Sequence, residues 1–173
     1  MPYAPCVPSF PVVIELLLAS PHSRYEGRPA DGPLPASGSE TPASIEIRAG
    51  LGVVGDRYFG KPAHARASVT LMAMESLEHI AGELGAPALD PSLTRRNIML
   101  RGFAVDTLRD VEFSLDSGSG PVLFRANRPA NPCAWMDVVL APGAFRAMRG
   151  LGGIRCEPLS SGTLVLGAAV LRT

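Results

Sequence analysis

Short runs of apolar residues, separated by glycine and proline, dominate this chain and predict a series of β-strands. Residues 12–19 form an apolar run interrupted only by Glu15, which predicts a strand buried on both faces. Residues 45–49 and 111–116 alternate apolar with polar positions, as half-buried strands do. A Gly-Ser-Gly-Pro turn at 118–121 leads from the second of these into residues 122–124 and predicts a hairpin. Further short strands are expected at residues 68–71, 97–100, 164–166 and 169–171.

Two helical segments and one long loop interrupt the strands. Apolar side chains recur at helical spacing in residues 74–84, and Gly85 follows where a helix commonly ends. A second helix is expected after residues 141–143 and ends at Gly150. The stretch from about 20 to 43 is rich in Pro, Gly, Ala and Ser and predicts an extended surface loop. The pattern predicts a mainly β fold, a closed or nearly closed β-barrel with a few peripheral helices.

Composition places the chain among ordinary globular proteins. Its 173 residues, 46% of them hydrophobic and 18% charged, indicate a single domain spanning residues 1–173. A formal net charge of zero argues against a nucleic-acid binder that works by general attraction to phosphates. Fifteen arginines stand against one lysine, Lys61. A pyridoxal phosphate enzyme needs a lysine for its Schiff base, so this cofactor is not expected.

The cysteine pattern and the apolar runs bear on compartment. Three cysteines without a Cys-x-x-Cys pair argue against a disulfide framework or a structural zinc site, and a reducing cytoplasm is the simplest location. The apolar run at 12–19 is too short to span a bilayer, and no Lys or Arg precedes it as in a signal peptide. No membrane association is expected.

Cys133 is the cysteine with a chemically distinctive setting. It lies in the sequence Asn-Pro-Cys-Ala-Trp-Met-Asp at 131–137, where Pro132 stiffens the backbone, and Arg125 and Arg128 precede it. Positive charge favours the thiolate, which can act as a nucleophile, a sulfur carrier or a soft-metal ligand. The alternative is a small buried hydrophobe, as free cysteines usually are. Packing explains Cys156 adequately, and Cys6 lies outside this motif.

Two polar pairs elsewhere are candidates for anion binding. Asp56 and Arg57 follow a glycine-rich turn that aims their side chains, either at a ligand or at each other as a structural ion pair. Arg96 and Asn97 precede a predicted strand and can hold a phosphate through a guanidinium fork and an amide. Strand alternation sends the adjacent Arg95 to the opposite face, so it is held in reserve. A solvated surface pair of arginines is the alternative.

The glycine-rich link at 149–155 is a third candidate. Backbone N–H groups around Gly152 can form a concave anion site, with Arg149 beside it. The alternative is a helix C-cap followed by a connection to the next strand.

Five segments, taken in their order and spacing, resemble the MOSC domain, the module named after the C-terminal part of molybdenum cofactor sulfurase. They are residues 55–58, 95–98, 131–137, 141–144 and 149–154. The resemblance implies a β-barrel whose single cleft cysteine is Cys133, acting as a ligand to molybdenum. It also implies a molybdenum cofactor (molybdopterin) site, for which the candidate contacts are Asp56, Arg57, Arg96, Asn97, Arg149 and Gly152.

Two positions depart from the pattern usual in this family. Ala130 stands where similar proteins often carry an additional cysteine, which removes a potential resolving thiol for Cys133. Ala168 stands where an Asp is usual, next to the closing strand.

The resemblance leaves three functions open. A reductase of N-hydroxylated compounds would hold molybdenum through Cys133 and take electrons from a separate donor protein. A sulfur carrier would bear a persulfide on Cys133 and need a cysteine desulfurase as partner. A non-catalytic cofactor-binding module is the third. The missing thiol at Ala130 favours the reductase, and the oligomeric state stays open.

Overall fold

The computed structural model describes residues 7–173 and shows a mainly β architecture. The strands are β1 (Ser9–Leu17), β2 (Ser44–Arg48), β3 (Gly52–Val53), β4 (Val69–Ala73), β5 (Ile98–Arg101), β6 (Glu112–Asp116), β7 (Val122–Pro129), β8 (Ile154–Pro158), β9 (Gly162–Val165) and β10 (Gly167–Arg172). The α-helices are α1 (Met74–Leu84), α2 (Trp135–Val139) and α3 (Ala144–Ala147). No helix in residues 7–173 has the length and apolar character needed to cross a bilayer.

Seven strands close into a barrel in the order β1-β10-β6-β7-β8-β4-β5, and β5 returns to β1. Among the described strands, only β4 and β5 run parallel, and α1 provides the helical crossover that a parallel pair needs. Strands β3, β2 and β9 form a separate small sheet. The expected closed barrel with few helices is therefore confirmed. The closing strand is retained despite Ala168, which pairs with Val13 of β1.

The barrel interior is filled by inward-facing aliphatic and aromatic side chains, among them Ile14, Leu71, Phe113 and Phe124. A second apolar cluster lies outside the barrel, where Met72 and Met99 of β4 and β5 meet the three helices. These two strands are accordingly buried on both faces. The second cluster anchors the helices beside the strand ends that carry the site.

Two expectations about local structure are wrong. Residues 12–19 are not a strand buried on both faces, since Val13 is 40% exposed while Val12 and Ile14 face the interior. In the structure of residues 7–173, the outward side chains of Val13 and Glu15 are exposed, and of this strand only Leu16 packs against the second apolar cluster. The second helix is also shorter than expected, because only Ala144–Ala147 is α-helical before turns lead to Gly150.

Candidate functional site

The loop that carries Cys133 is fixed at both ends. On one side, the Ala130 N–H donates to the Gly153 carbonyl at 2.7 Å. On the other, the Met136 N–H donates to the carbonyl of Cys133 at 3.0 Å, as α2 begins. Trp135 and Met136 are buried in the second apolar cluster. The side chain of Cys133 itself is exposed, so packing does not account for it.

Cys133 lies in a cleft of about 210 Å³ with four arginines in its lining. These are Arg57, the adjacent Arg95 and Arg96, and Arg155, which come from three separate parts of the chain. None of the described residues that line this cleft is acidic. The cleft therefore combines an accessible thiol with concentrated positive charge, a setting suited to anionic ligands.

Arg96 connects three backbone segments around the cleft through hydrogen bonds. Its Nε donates to the Gly152 carbonyl at 2.8 Å, its Nη1 to the Thr94 carbonyl at 3.0 Å and its Nη2 to the Ala130 carbonyl at 2.8 Å. Burial, and then the nearby Arg155, lower the pKa of Arg96 to about 10, which leaves it charged at neutral pH. Arg96 therefore positions the Cys133 loop against the glycine-rich link.

Close packing explains the glycines of that link. A Cβ on Gly152 would lie 2.4 Å from the Ala130 carbonyl oxygen, and one on Gly153 would lie 1.9 Å from the Leu71 carbonyl oxygen. The Gly153 N–H is already bound to the Asp106 carboxylate at 2.9 Å. Gly152 therefore allows the link to pack closely against Ala130, and Gly153 allows it to pack closely against β4.

Asp56 and Asn97 lie behind the cleft and support Arg57. The Asn97 amide accepts from the Thr70 N–H at 2.9 Å and donates to Asp56 Oδ2 at 3.2 Å. Asp56 also accepts from the Tyr58 N–H at 3.1 Å, and its carboxylate lies 3.8 Å from Arg57 Nη1. That Nη1 is buried and has no hydrogen-bond partner in the described part of the chain. Arg57 can therefore form its ion pair with Asp56 and still donate a hydrogen bond to a ligand.

Arg149 is not brought to the cleft. It lies exposed after α3, and its guanidinium stands 5.2 Å from the centre of the Phe145 ring. Arg155, six residues later in β8, lines the cleft instead. Its place after the glycine-rich link was the available signal in the sequence.

Arg95 and Arg96 are not a solvated surface pair, since they are 5% and 8% exposed. Both line the cleft, because strand alternation does not apply to them. Arg95 follows a 3-10 helix at Pro91–Thr94 and has a left-handed backbone with φ of 60°, and β5 begins only at Ile98. Arg95 is therefore a cleft residue, contrary to the expectation that its side chain faces the opposite way.

A second pocket of about 480 Å³ adjoins the Cys133 cleft. The two share Ser23, Arg57 and Tyr58 in their linings. The second pocket is also lined by Lys61 and His64, and the His64 ring lies 4.6 Å from that of Tyr58. Together the two depressions form one groove in which Arg57 is the central cation.

The sequence profile of the MOSC domain matches residues 55–171, which is more than half of the chain and includes Cys133 and the four arginines of its cleft. The chain belongs to the MOSC domain family. No curated protein matches it significantly. Among solved structures, the YuaD protein of Bacillus subtilis superposes with a TM-score of 0.74 at 16% identity, over 96% of this chain and 98% of that one. YiiM of Geobacillus stearothermophilus gives 0.60 at 13% identity, over 94% and 75%. At these identities the likeness shows a shared fold.

In this MOSC domain, the long loop at 20–43 packs onto the site at two points. Tyr25 stacks on Trp135 with ring centres 5.4 Å apart, and its hydroxyl donates to the Leu93 carbonyl. Burial raises the pKa of Tyr25 to about 12. Glu40 accepts from both terminal nitrogens of Arg95, at 2.6 and 3.2 Å. The loop is therefore a fixed wall of the cleft as well as a surface segment.

The ion pair of Glu40 makes a first prediction possible. Burial raises the pKa of Glu40, but hydrogen bonds from Arg95 and Ser20 outweigh it and hold that pKa below its usual value. The ion pair of Glu40 therefore stabilises the folded protein above the ordinary glutamate pKa of about 4.3. This stabilisation is lost as the pH falls through the lowered pKa of Glu40. We expect a red shift of Trp135 fluorescence in that acidic range, since this is the only tryptophan in the chain.

Glu40→Gln should show the red-shifted emission already at neutral pH and lack the acid transition. Glu46→Gln is the matched control, because Glu46 is exposed and pairs with Arg48 away from the cleft. Identical pH profiles for wild type and Glu40→Gln would show that the loop is held by other contacts.

Proposed function

We propose that this MOSC protein binds molybdenum cofactor in the Cys133 cleft and reduces N-hydroxylated compounds with electrons from a separate donor protein. The observation that carries the proposal is the exposed Cys133 thiol inside a cleft lined by four arginines. We propose a cytoplasmic location, since three cysteines without a pairing motif suit a reducing compartment.

The residues present fit the chemistry of this cofactor, a pterin dithiolene that carries a phosphate. A thiolate is the soft ligand that such a metal centre accepts, and Cys133 supplies one on a rigid loop. Guanidinium groups are suitable partners for a phosphate, and the buried Nη1 of Arg57 has no hydrogen-bond partner among residues 7–173. The adjoining pocket at Arg57 and Tyr58 adds room beyond the cleft itself.

When bound, the cofactor would supply two-electron redox chemistry at its metal. The protein's own part is to bind and orient. Arg96 holds the loop of Cys133 in place, and Arg57 and Arg155 offset negative charge in the cleft. Reduction of a hydroxylamine to an amine consumes two electrons and two protons and releases water. The electrons come from the donor protein and the protons from solvent.

A sulfur carrier is the second candidate, and the exposure of Cys133 favours it as well. An accessible thiolate can take the sulfane sulfur from the persulfide of a cysteine desulfurase, which releases the desulfurase thiolate and leaves a persulfide on Cys133. Cys156 is fully buried and Ala130 has no thiol, so neither residue can resolve that persulfide in the folded protein. Transfer would then go directly to an acceptor protein.

Metal and pterin analysis tests the proposal. Protein purified from a molybdenum-replete host should contain molybdenum and pterin in stoichiometric amounts, whereas Cys133→Ser should lose the molybdenum. Arg57→Met should bind the cofactor about tenfold or more weakly, because a charge-assisted hydrogen bond contributes about 1.5–3 kcal/mol. Cys156→Ala is the matched control, since it removes a thiol outside the cleft.

A persulfide on Cys133 after incubation with a cysteine desulfurase, in protein that never takes up molybdenum, would overturn the reductase. That result would establish the carrier function instead. Retention of molybdenum by Cys133→Ser would show that the metal has a different ligand.

A further inference from the structure

Basic side chains continue from the Cys133 cleft onto the neighbouring surface. Arg155 of the cleft is the cross-strand partner of Arg128 on β7, so both side chains lie on the same face of the sheet. Arg128 and Arg66 line an adjacent depression of about 350 Å³. Lys61 precedes the 3-10 helix that carries Arg66 and lines the pocket on the other side. We call the surface formed by Lys61, Arg66, Arg128 and Arg155 the basic face.

The cations of the basic face are not paired with carboxylates, although Glu26 lines the same pocket as Lys61. Among residues 7–173, none of these four side chains forms a salt bridge, and no acidic residue lines the cleft or the depression at Arg128. Four arginines elsewhere on the surface are paired: Arg48 with Glu46, Arg101 with Glu15, Arg109 with Asp110 and Arg125 with Glu112. Exposed arginines outside the basic face that lack a salt bridge in residues 7–173, such as Arg28 and Arg149, do not line the cleft or the depression at Arg128.

The positive charge is therefore local and not a property of the whole chain, whose formal net charge is zero. Three carboxylates, those of Glu15, Glu75 and Glu78, gather around Arg101 on the outside of β1, α1 and β5. At the cleft, by contrast, the charge of Arg155 adds to burial in lowering the pKa of Arg96. Such an asymmetric distribution orients an approaching charged protein.

We propose that the basic face is the docking surface for an acidic electron-transfer protein, which delivers electrons to the Cys133 cleft. This inference rests on the proposed reductase function. Unpaired surface cations stay solvated in the free protein and offer charge complementarity to a carboxylate-rich partner, which raises the association rate and fixes orientation. Because the exposed Cys133 shares its cleft with Arg155, a partner seated here would lie next to the proposed metal site.

Binding to acidic carriers tests this surface without requiring catalysis. A small acidic flavodoxin and an acidic [2Fe–2S] ferredoxin are the probes, titrated with metal-free protein at low and high salt. The double substitution Arg66→Glu and Arg128→Glu should weaken binding about tenfold or more and flatten its salt dependence, within the range of electrostatic steering. Arg48→Glu, an exposed arginine outside the face, is the matched control and should bind like wild type. In turnover, the double variant should raise the KM for the carrier and leave kcat unchanged.

Each contrary result has a distinct meaning. If both carriers bind wild type and the double variant equally, the basic face is not their docking surface. Preferential binding of a single-stranded oligonucleotide or of phosphatidylglycerol vesicles would replace the acidic carrier with that ligand. Salt-sensitive carrier binding by protein that never acquires molybdenum would retain the surface and reject the reductase.

Discussion

Arg96→Met is expected to lower the free energy of unfolding by about 3–5 kcal/mol, as the loss of a buried hydrogen-bond network does. The substitution keeps an unbranched chain in the same space but removes all three donors. The carbonyls of Gly152, Thr94 and Ala130 would then be buried without their guanidinium partner. Part of the cost is offset, since the substitution also removes the charge of Arg96, which is unfavourable to bury, as the lowered pKa of this group indicates.

Urea unfolding monitored by circular dichroism measures this loss, with Arg48→Met as the exposed control that should leave the midpoint unchanged. Arg96→Lys separates charge from geometry, because an ammonium cannot reach three diverging carbonyls as a guanidinium does. If Arg96→Lys is as stable as wild type, charge alone accounts for the role of Arg96. If Arg96→Met matches the control, the three hydrogen bonds contribute nothing and the Cys133 loop is held by Trp135 and Met136.

The barrel could be predicted because its strands carry their pattern locally. The hairpin of β6 and β7 follows from alternation on either side of a glycine turn, and α1 ends at Leu84 with Gly85 in a left-handed conformation, as expected. The apolar residues at 12–19 do not show whether a helix packs on the outer face of their strand. Apolar residues give the same pattern whether their outer side chains contact a helix, as Met72 does, or solvent, as Val13 does. In residues 12–19 only Glu15, on the same face as Val13, indicated the exposed side.

Of the residues in the candidate site, the sequence singled out Cys133 most clearly. Cys133 could be singled out by its proline and its neighbouring arginines, and it is exposed in a cleft. The roles of the arginines depend on contacts far apart in sequence. Arg96 reaches Gly152, 56 residues away, and Arg95 reaches Glu40, 55 residues away. No local pattern encodes such partners, and the left-handed backbone at Arg95 defeats the alternation rule.

The same contrast between local and distant contacts applies to the long loop. Its composition correctly indicates a segment without strands, since only one short 3-10 turn, Pro29–Asp31, occurs in it. Composition does not show that Tyr25 stacks on Trp135 or that Glu40 binds Arg95. Two anchoring side chains are enough to make a loop of this kind part of a site, because each fixes the backbone around it against considerable conformational entropy.

Cys133 should be alkylated by iodoacetamide in the folded, metal-free protein, while Cys156 stays protected. Cys156 is 0% exposed in β8, and burial raises the pKa of its thiol, so it reacts only after local or global opening. Opening a core strand costs several kcal/mol, which predicts a rate difference on the order of a thousandfold or more.

A Cys6→Ser background removes the third thiol, which lies outside the described residues. Mass spectrometry of peptides after timed quenching gives the labelling rates of both cysteines. The two rates should converge in about 8 M urea, where most small domains are unfolded. Faster labelling of Cys156 in the folded protein would remove Cys133 from its central place in the site.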